Sequence, residues 1–294
     1  MPDYLLPENI RPRLIRESFP QLFAARPADS HKGTFGTLAV FGGAEGMSGA
    51  AVLAATAALY TGCGKVWAGF CQTALPMPVV PGRPEIMLAT ASRLIRRKDW
   101  DAAVAGCGMG ADENARLLLA EILQTGNSRP LLLDADALNL LAQDTALARA
   151  AAGYPQLIIT PHPAEAARLL HCRTADIQAD RAAAAQNLAA AFCAITVLKG
   201  HRSLIALPGG GLTANTTGNA GLATAGSGDV LSGIIGSLLA QGVEGAQAAA
   251  GGVWLHGAAA DVLSCSQTGP QGLLAGEIAP AARWLRNRII ENES

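Results

Sequence analysis

Between positions 215 and 229 the chain reads N-T-T-G-N-A-G-L-A-T-A-G-S-G-D, and the apolar run V-L-S-G-I-I-G-S-L-L-A-Q-G carries it on to 242. Glycines 218, 221, 226 and 228 let the backbone of this loop approach a ligand closely. The apolar run predicts a helix that begins at about Asp229 and stops near Gly242, a suitable terminating glycine. A glycine loop that feeds a helix N-terminus is an anion site, because unpaired amides point outward there and the helix dipole adds partial positive charge. Gly226, Ser227 and Gly228 are therefore expected to face a phosphate or a developing oxyanion. Asp229, in the first turn and kept ionised by the same dipole, could take a proton from a hydroxyl brought beside the phosphates. A plainer reading makes Asp229 an N-cap and the glycines packing devices. Four glycines, Asn215, Asn219 and three threonines on one loop ahead of the acid favour chemistry.

Other candidates lie at the ends of short apolar runs. Lys199-Gly200-His201-Arg202-Ser203 follows one such run, and Lys199 could meet a phosphate or simply be a solvated lysine. His162 sits between Pro161 and Pro163, which stiffen the backbone and aim the imidazole. Open α/β sheets bind ligands at such strand ends, although a loop histidine can equally be plain surface. Glu165 is a lesser candidate that suits the start of the next helix. Asp134 and Asp136, with Asn139 nearby, have the spacing to help hold Mg²⁺ on phosphates, and Asp136 suits a helix cap equally well. His171, His201 and His256 show no metal-binding spacing with one another. Gly42-Gly43 follows an apolar run, but no G-x-G-x-x-G opens the next helix and no acidic ribose partner follows, which argues against a dinucleotide-binding dehydrogenase.

The elements that must position these residues alternate along the chain. Short β-branched or Leu-rich runs at 38–41, 102–105, 131–133, 157–160 and 195–198 end in Gly, Asp or Pro. Ala/Leu-rich segments at 48–61, 111–124, 136–151, 163–170 and 180–193 are long enough for helices. This alternation predicts βαβ units and a mostly parallel sheet covered on both faces, an α/β fold. Runs at 203–207 and 211–215 flank Pro208-Gly209-Gly210 and predict a hairpin at a sheet edge. Residues 229–241 and 246–263 read as helices. One domain over 29–294, preceded by an N-terminal extension over 1–28, accounts for the whole pattern.

Of 294 residues, 50% are hydrophobic, 15% charged and 4% aromatic, which suits Ala- and Gly-rich helices packed closely on a sheet. With a formal charge of −1 and no basic run, general nucleic-acid binding is not expected. The six cysteines contain no C-x-x-C pair and read as thiols in a reducing compartment. The N-terminus lacks a signal-peptide core, and the apolar stretches near 50–60 and 230–240 fall short of the roughly 18–20 residues that span a bilayer. A cytoplasmic protein without membrane association is expected.

The 215–229 loop resembles the anion-hole motif of the ribokinase-like superfamily and, more narrowly, the NAD(P)H-hydrate dehydratase pattern N-x-T-G-N-x-G-x-A-x-x-G-S-G-D-V-L. Further stretches are similar in the same order: H-K-G-x-x-G at 31–36, L-A-V-F-G-G at 38–43, M-S-G-A at 47–50, L-D-A-D-A-L-N at 133–139, T-P-H-P-A-E at 160–165 and V-L-K-G at 197–200. The resemblance implies a ribokinase-like three-layer α/β/α sandwich. It also implies ADP-dependent removal of water from the S form of NAD(P)H-hydrate, giving NAD(P)H, AMP and phosphate. Asp229 then matches the catalytic base, with Gly226, Ser227 and Gly228 as the anion hole. Lys199, Gly200, His201, Arg202, Ser203, Gly228, Asn215 and Asn219 match nucleotide-binding positions. Ala50, Gly110, His162 and Asp229 match contacts to the hydrate. In the turn Gly106-Cys-Gly-Met-Gly110, Cys107 replaces the family's usual proline. Mg²⁺ is the implied cofactor and ADP the phosphoryl-donating co-substrate. The family is commonly oligomeric, so a homo-oligomer is expected, and an epimerase for the hydrate is expected to be a separate protein. The alternative within the superfamily is a small-molecule kinase acting on a hydroxyethylthiazole or hydroxymethylpyrimidine type of alcohol. That enzyme needs the same aspartate and anion hole, while the H-K-G, P-H-P-x-E and N-T-T-G-N-A-G stretches favour the dehydratase.

Overall fold

The computed structural model describes residues 4–125 and 129–291. Its centre is one nine-stranded sheet in the order β3-β2-β1-β4-β5-β6-β7-β8-β9. The strands are β1 (Thr37–Gly42), β2 (Lys65–Phe70), β3 (Met87–Thr90), β4 (Ala102–Ala105), β5 (Leu131–Leu133), β6 (Leu157–Ile159), β7 (Ile195–Leu198), β8 (Leu204–Ala206) and β9 (Leu212–Ala214). Strands β1 to β7 pair in parallel, and the β8–β9 hairpin adds two antiparallel strands at one edge, as its turn residues predict.

Side chains alternate across the sheet and supply two cores. Leu38, Val40, Ala102, Val104, Leu132 and Ile158 face one core. Ala39, Phe41, Ala103, Ala105, Leu131, Leu133, Leu157 and Ile159 face the other. The first core is closed by α2 (Ser48–Tyr60), α10 (Ser227–Ala240), α11 (Gly245–Cys265) and α12 (Ala275–Glu291). The second is closed by α3 (Ala91–Leu94), α4 (Glu113–Thr125), α5 (Asp136–Gln143), α6 (Thr145–Ala152), α7 (Pro163–Leu169), α8 (Thr174–Ala179) and α9 (Arg181–Phe192). The result is the expected three-layer α/β/α sandwich. Small residues set the layer spacing. A Cβ on Gly233 of α10 would come within 2.1 Å of the Ala54 carbonyl of α2, and one on Gly236 within 2.4 Å of Val104 on β4.

Three departures from the sequence reading have physical reasons. Strands β2 and β3 stand beside β1 at the other edge, where Gly69 breaks the apolar run but leaves room for Leu94. The single helix expected over 136–151 is two, because Asp144 ends α5 and caps α6 by accepting from the amides of Ala146 and Leu147. The N-terminal stretch is built into the first core: α1 (Pro12–Ser18) leads to buried Leu22 and Phe23, and Phe19 and Phe23 contact the ring of Trp254.

The chain leaves β1 toward β2 and β3 and returns on the other side of β1 as β4. The crevice between β1 and β4 is thus a topological switch point, where open α/β sheets place ligands.

Candidate active site

The site forms where the C-terminal ends of β4 to β7 meet the start of α10. Gly226 holds φ +87°, a left-handed conformation that suits glycine, and a Cβ there would meet the Leu53 side chain at 2.4 Å. The helix begins at Ser227, two residues earlier than the sequence suggests, so Asp229 occupies the third helical position instead of the cap. The Ser227 amide donates to the Thr224 carbonyl at 3.3 Å. Among the described residues, no acceptor lies against the amides of Gly228 and Asp229. These two N–H groups, at the positive end of a 14-residue helix, are the open donors of the anion site.

Asp229 is partly buried, and burial, with help from Asp134 and Asp136, pushes its carboxyl up to about 6. A hydrogen bond from the Cys107 thiol and the charge of Lys199 pull in the opposite direction. Burial therefore outweighs the dipole that favours the ionised form. A carboxylate poised near neutrality is a better general base than one at 4, because it holds a proton more strongly while remaining mostly ionised at pH 7. Cys107 is fully buried at the end of β4, which holds its thiol well above the usual range and keeps it a donor.

Lys199 leaves the end of β7 and points inward. Its Nζ lies 2.5 Å from Asp134 Oδ1 and 3.9 Å from Glu165 Oε2. Burial alone would lower the Lys199 pKa, but Asp134 and Glu165 reverse that and keep the ammonium charged. A Cβ on Gly228 would sit 3.5 Å from Lys199 Nζ, so the charge stands at the anion loop. Asp134 is itself satisfied on both oxygens. Oδ1 accepts from Lys199 and from the Ala135 amide, and Oδ2 accepts from Ser232 Oγ at 2.8 Å. Asp136 Oδ2 accepts from the Gly110 amide at 2.9 Å. Among the described residues, no three His, Cys, Asp or Glu side chains are grouped to hold a metal. With Asp134 tied into an ion pair, the two aspartates do not fit direct magnesium ligation as a pair.

His162 caps α7, its Nδ1 accepting from the amides of Ala164 and Glu165. Glu165 answers by accepting from the His162 amide at 2.7 Å, and its Oε1 lies 3.3 Å from His162 Nε2. Burial and the nearby Lys199 lower the His162 pKa, so the ring is neutral, with Nδ1 bare and Nε2 protonated. The imidazole stays nearly half exposed. Burial raises Glu165, which is joined in a chain from His162 through Lys199 to Asp134.

Ala50, Gly108 and Gly110 line the crevice near the start of α2: a Cβ on Gly108 would be 3.1 Å from Ala50 Cβ, and one on Gly110 would be 3.5 Å from Ala44 Cβ. The 199–203 turn is clasped by Arg181, whose guanidinium donates to the carbonyls of Leu198, Lys199 and His201. Ser203 Oγ donates to the Gly200 carbonyl, while the His201 and Arg202 side chains are exposed. The two asparagines serve the loop itself. Asn215 binds Thr217, and Asn219 accepts from the Gly221 amide and donates to Asp261. Arg181, Ser232, His256 and Asp261 contribute to the site beyond the residues read from the sequence. Ser232, one helical turn beyond Asp229, is the only one with a sequence signal.

Residues 38–281 match the family model described as NAD(P)H-hydrate dehydratase. The chain is 61% identical over 274 residues to the ADP-dependent (S)-NAD(P)H-hydrate dehydratase of Neisseria meningitidis, covering 93% of each chain. It is 41% identical over 266 residues to a bifunctional NAD(P)H-hydrate repair enzyme of Moorella thermoacetica, covering 86% of this chain and 49% of that one. Its structure superposes on the ADP/ATP-dependent NAD(P)H-hydrate dehydratase of Bacillus subtilis, co-crystallised with ATP and Mg²⁺, with a TM-score of 0.81 at 29% identity, covering 96% of this chain and all of that one. The likeness to a hydroxyethylthiazole kinase of Pyrococcus horikoshii, with a TM-score of 0.65 at 15% identity, is one of fold alone. The motifs, the sheet order and the 93% coverage at high identity agree: this chain belongs to the NAD(P)H-hydrate dehydratase family.

Proposed function

We propose that the protein catalyses ADP-dependent dehydration of the S form of NAD(P)H-hydrate, restoring NAD(P)H with release of AMP and phosphate. The observation that carries this reading is Asp229. A carboxylate with a pKa of about 6 stands in the first turn of α10, beside two open amides and the Lys199 ammonium. Asp229 takes the proton from the ring hydroxyl of the hydrate as that oxygen attacks the terminal phosphorus of ADP. The bond to the bridging oxygen breaks, and AMP leaves with it. The amides of Gly228 and Asp229, within the Gly226-Ser227-Gly228 loop, hold the charge on the transferred group. The ring ester then loses phosphate as the neighbouring ring carbon gives up a proton, which restores the reduced nicotinamide. The relative from Neisseria carries this activity in its name, and the Asp229 geometry suits it.

In this reading Lys199 and the backbone of Gly200 to Ser203 line the nucleotide. Asn215 and Asn219 shape its loop from within. Ala50, Gly110 and the face of His162 receive the hydrate. A magnesium ion would supply charge neutralisation on the phosphates. Asp136 keeps one oxygen without a protein partner among the described residues, and water would complete any coordination. An epimerase that supplies the S form is the pathway partner, a homo-oligomer the working assembly, and the cytoplasm the location. Three exposed free thiols, Cys172, Cys193 and Cys265, fit a reducing compartment. Among the described residues, no helix is long and apolar enough to cross a membrane.

The test follows absorbance of reduced nicotinamide after adding the protein to NADH-hydrate with Mg²⁺ and ADP, ATP or no nucleotide. Recovery that requires ADP supports the reading. No recovery with any nucleotide, using folded protein and the correct epimer, overturns it.

A further inference from the structure

The anion loop has a back as well as a front. The front faces Lys199 and the crevice, while the back rests on α11, which grips it at several points. Thr217 Oγ1 donates to the Trp254 carbonyl at 2.9 Å, and Gly257, one turn on, has no room for a Cβ because Thr217 Oγ1 would lie 2.4 Å away. Asp261, another turn on, accepts from the Gly218 amide at 2.8 Å and from Asn219 Nδ2 at 2.9 Å. Positions 254, 257 and 261 share one face of the helix.

His256 reaches the other end of the loop. Its ring is buried, with Nε2 lying 3.0 Å from the Ser227 carbonyl oxygen and 3.4 Å from Ser227 Oγ. A carbonyl oxygen only accepts, so Nε2 carries the proton. Burial pushes the His256 pKa down to about 4, so the ring is a neutral donor at any working pH. The Ser227 carbonyl and the Gly228 N–H belong to one planar trans peptide and point in opposite directions. The first is held by His256, and the second is one of the two open amides of the anion site. A hydrogen bond to the carbonyl fixes the rotation of this peptide and polarises it, which makes the N–H on its far side a stronger donor.

We infer that His256 is a positioning residue that orients and polarises the Gly228 amide toward the phosphoryl group of a nucleoside diphosphate. The inference rests on the function proposed above and adds to it a group that touches neither substrate nor nucleotide. It differs from a packing role because it depends on one N–H at one position.

The experiment compares wild type, His256→Met and His256→Gln as full chains. Methionine fills the space without a donor, and the glutamine amide nitrogen can occupy the place of Nε2. His256→Met should lower kcat about 10- to 100-fold with KM for NADH-hydrate within about twofold. It should also weaken ADP binding by calorimetry about three- to tenfold. His256→Gln should recover both to within about threefold of wild type. A folded His256→Met with kcat and ADP affinity unchanged overturns the inference, as does equal loss in both variants. Should His256→Met fail to fold, His256→Asn, whose amide is too short to reach Ser227, takes its place. If wild type shows no ADP-dependent turnover, the proposed function fails on its own, and the ADP titration decides here: weakening in Met with rescue in Gln supports the inference, and equal affinities overturn it.

Discussion

Replacing Asp229 by asparagine should lower activity about 10²- to 10⁴-fold while making the protein more stable, by an amount that depends on pH. The carboxyl has a pKa of about 6 in the folded protein against 3.8 for an ordinary aspartate. Because the folded pKa is raised, the native state binds the proton more tightly than the unfolded chain. Stability from this group is therefore fully present at low pH and is lost as pH rises from about 4 through 6. At about 1.4 kcal/mol per unit of difference, the ionised carboxylate costs the native state about 3 kcal/mol at pH 8 and about 1 kcal/mol at pH 4.5. Asparagine keeps the shape and removes the charge. The pKa of about 6 already includes the opposing pull of Lys199 and the Cys107 thiol, and burying the amide without full hydrogen bonding takes back part of the gain, so a net gain of about 1–3 kcal/mol at pH 8 is expected. That corresponds to a rise in Tm of roughly 2–6 °C for a chain of this size. The assay is thermal denaturation of both proteins at pH 8 and pH 4.5. An asparagine variant less stable than wild type at pH 8, or one with the same gain at both pH values, would refute the reasoning that burial holds this carboxyl up.

Lys199→Met should harm both function and stability, since it leaves Asp134 buried without its cation. A loss of about 3–5 kcal/mol by urea denaturation is expected, and a folded variant of wild-type stability would contradict the ion pair. Cys107→Ala removes the thiol that donates to Asp229 and lowers its pKa. The acid limb of the kcat/KM profile should therefore move to higher pH, and an unmoved limb would show that the thiol does not tune the base.

Much of this was legible in the sequence where the signal is local. The 215–229 glycines, the P-G-G hairpin turn and the β-branched runs each encode their own conformation, and the structure places the predicted strands and the edge hairpin where they were read. What escaped depends on pairing across distance. The Asp134–Lys199 ion pair joins residues 65 apart, and the Ser232–Asp134 hydrogen bond joins residues 98 apart. No spacing rule reveals that Asp134 would be held by a lysine, so it read as a magnesium candidate. The two asparagines looked like ligand groups because their turn-forming hydrogen bonds to Thr217, Gly221 and Asp261 exist only in the folded loop. The rise in the Asp229 pKa is likewise a product of burial, which a helix-start argument omits.

The most direct test of the central claim measures AMP and reduced nicotinamide together, from NADH-hydrate and ADP, with wild type and Asp229→Asn. The account predicts one AMP for each NADH recovered by wild type, and a fall in both of about 10²- to 10⁴-fold in the variant. NADH recovered without AMP, or an Asp229→Asn protein that still produces both at the wild-type rate, would contradict it.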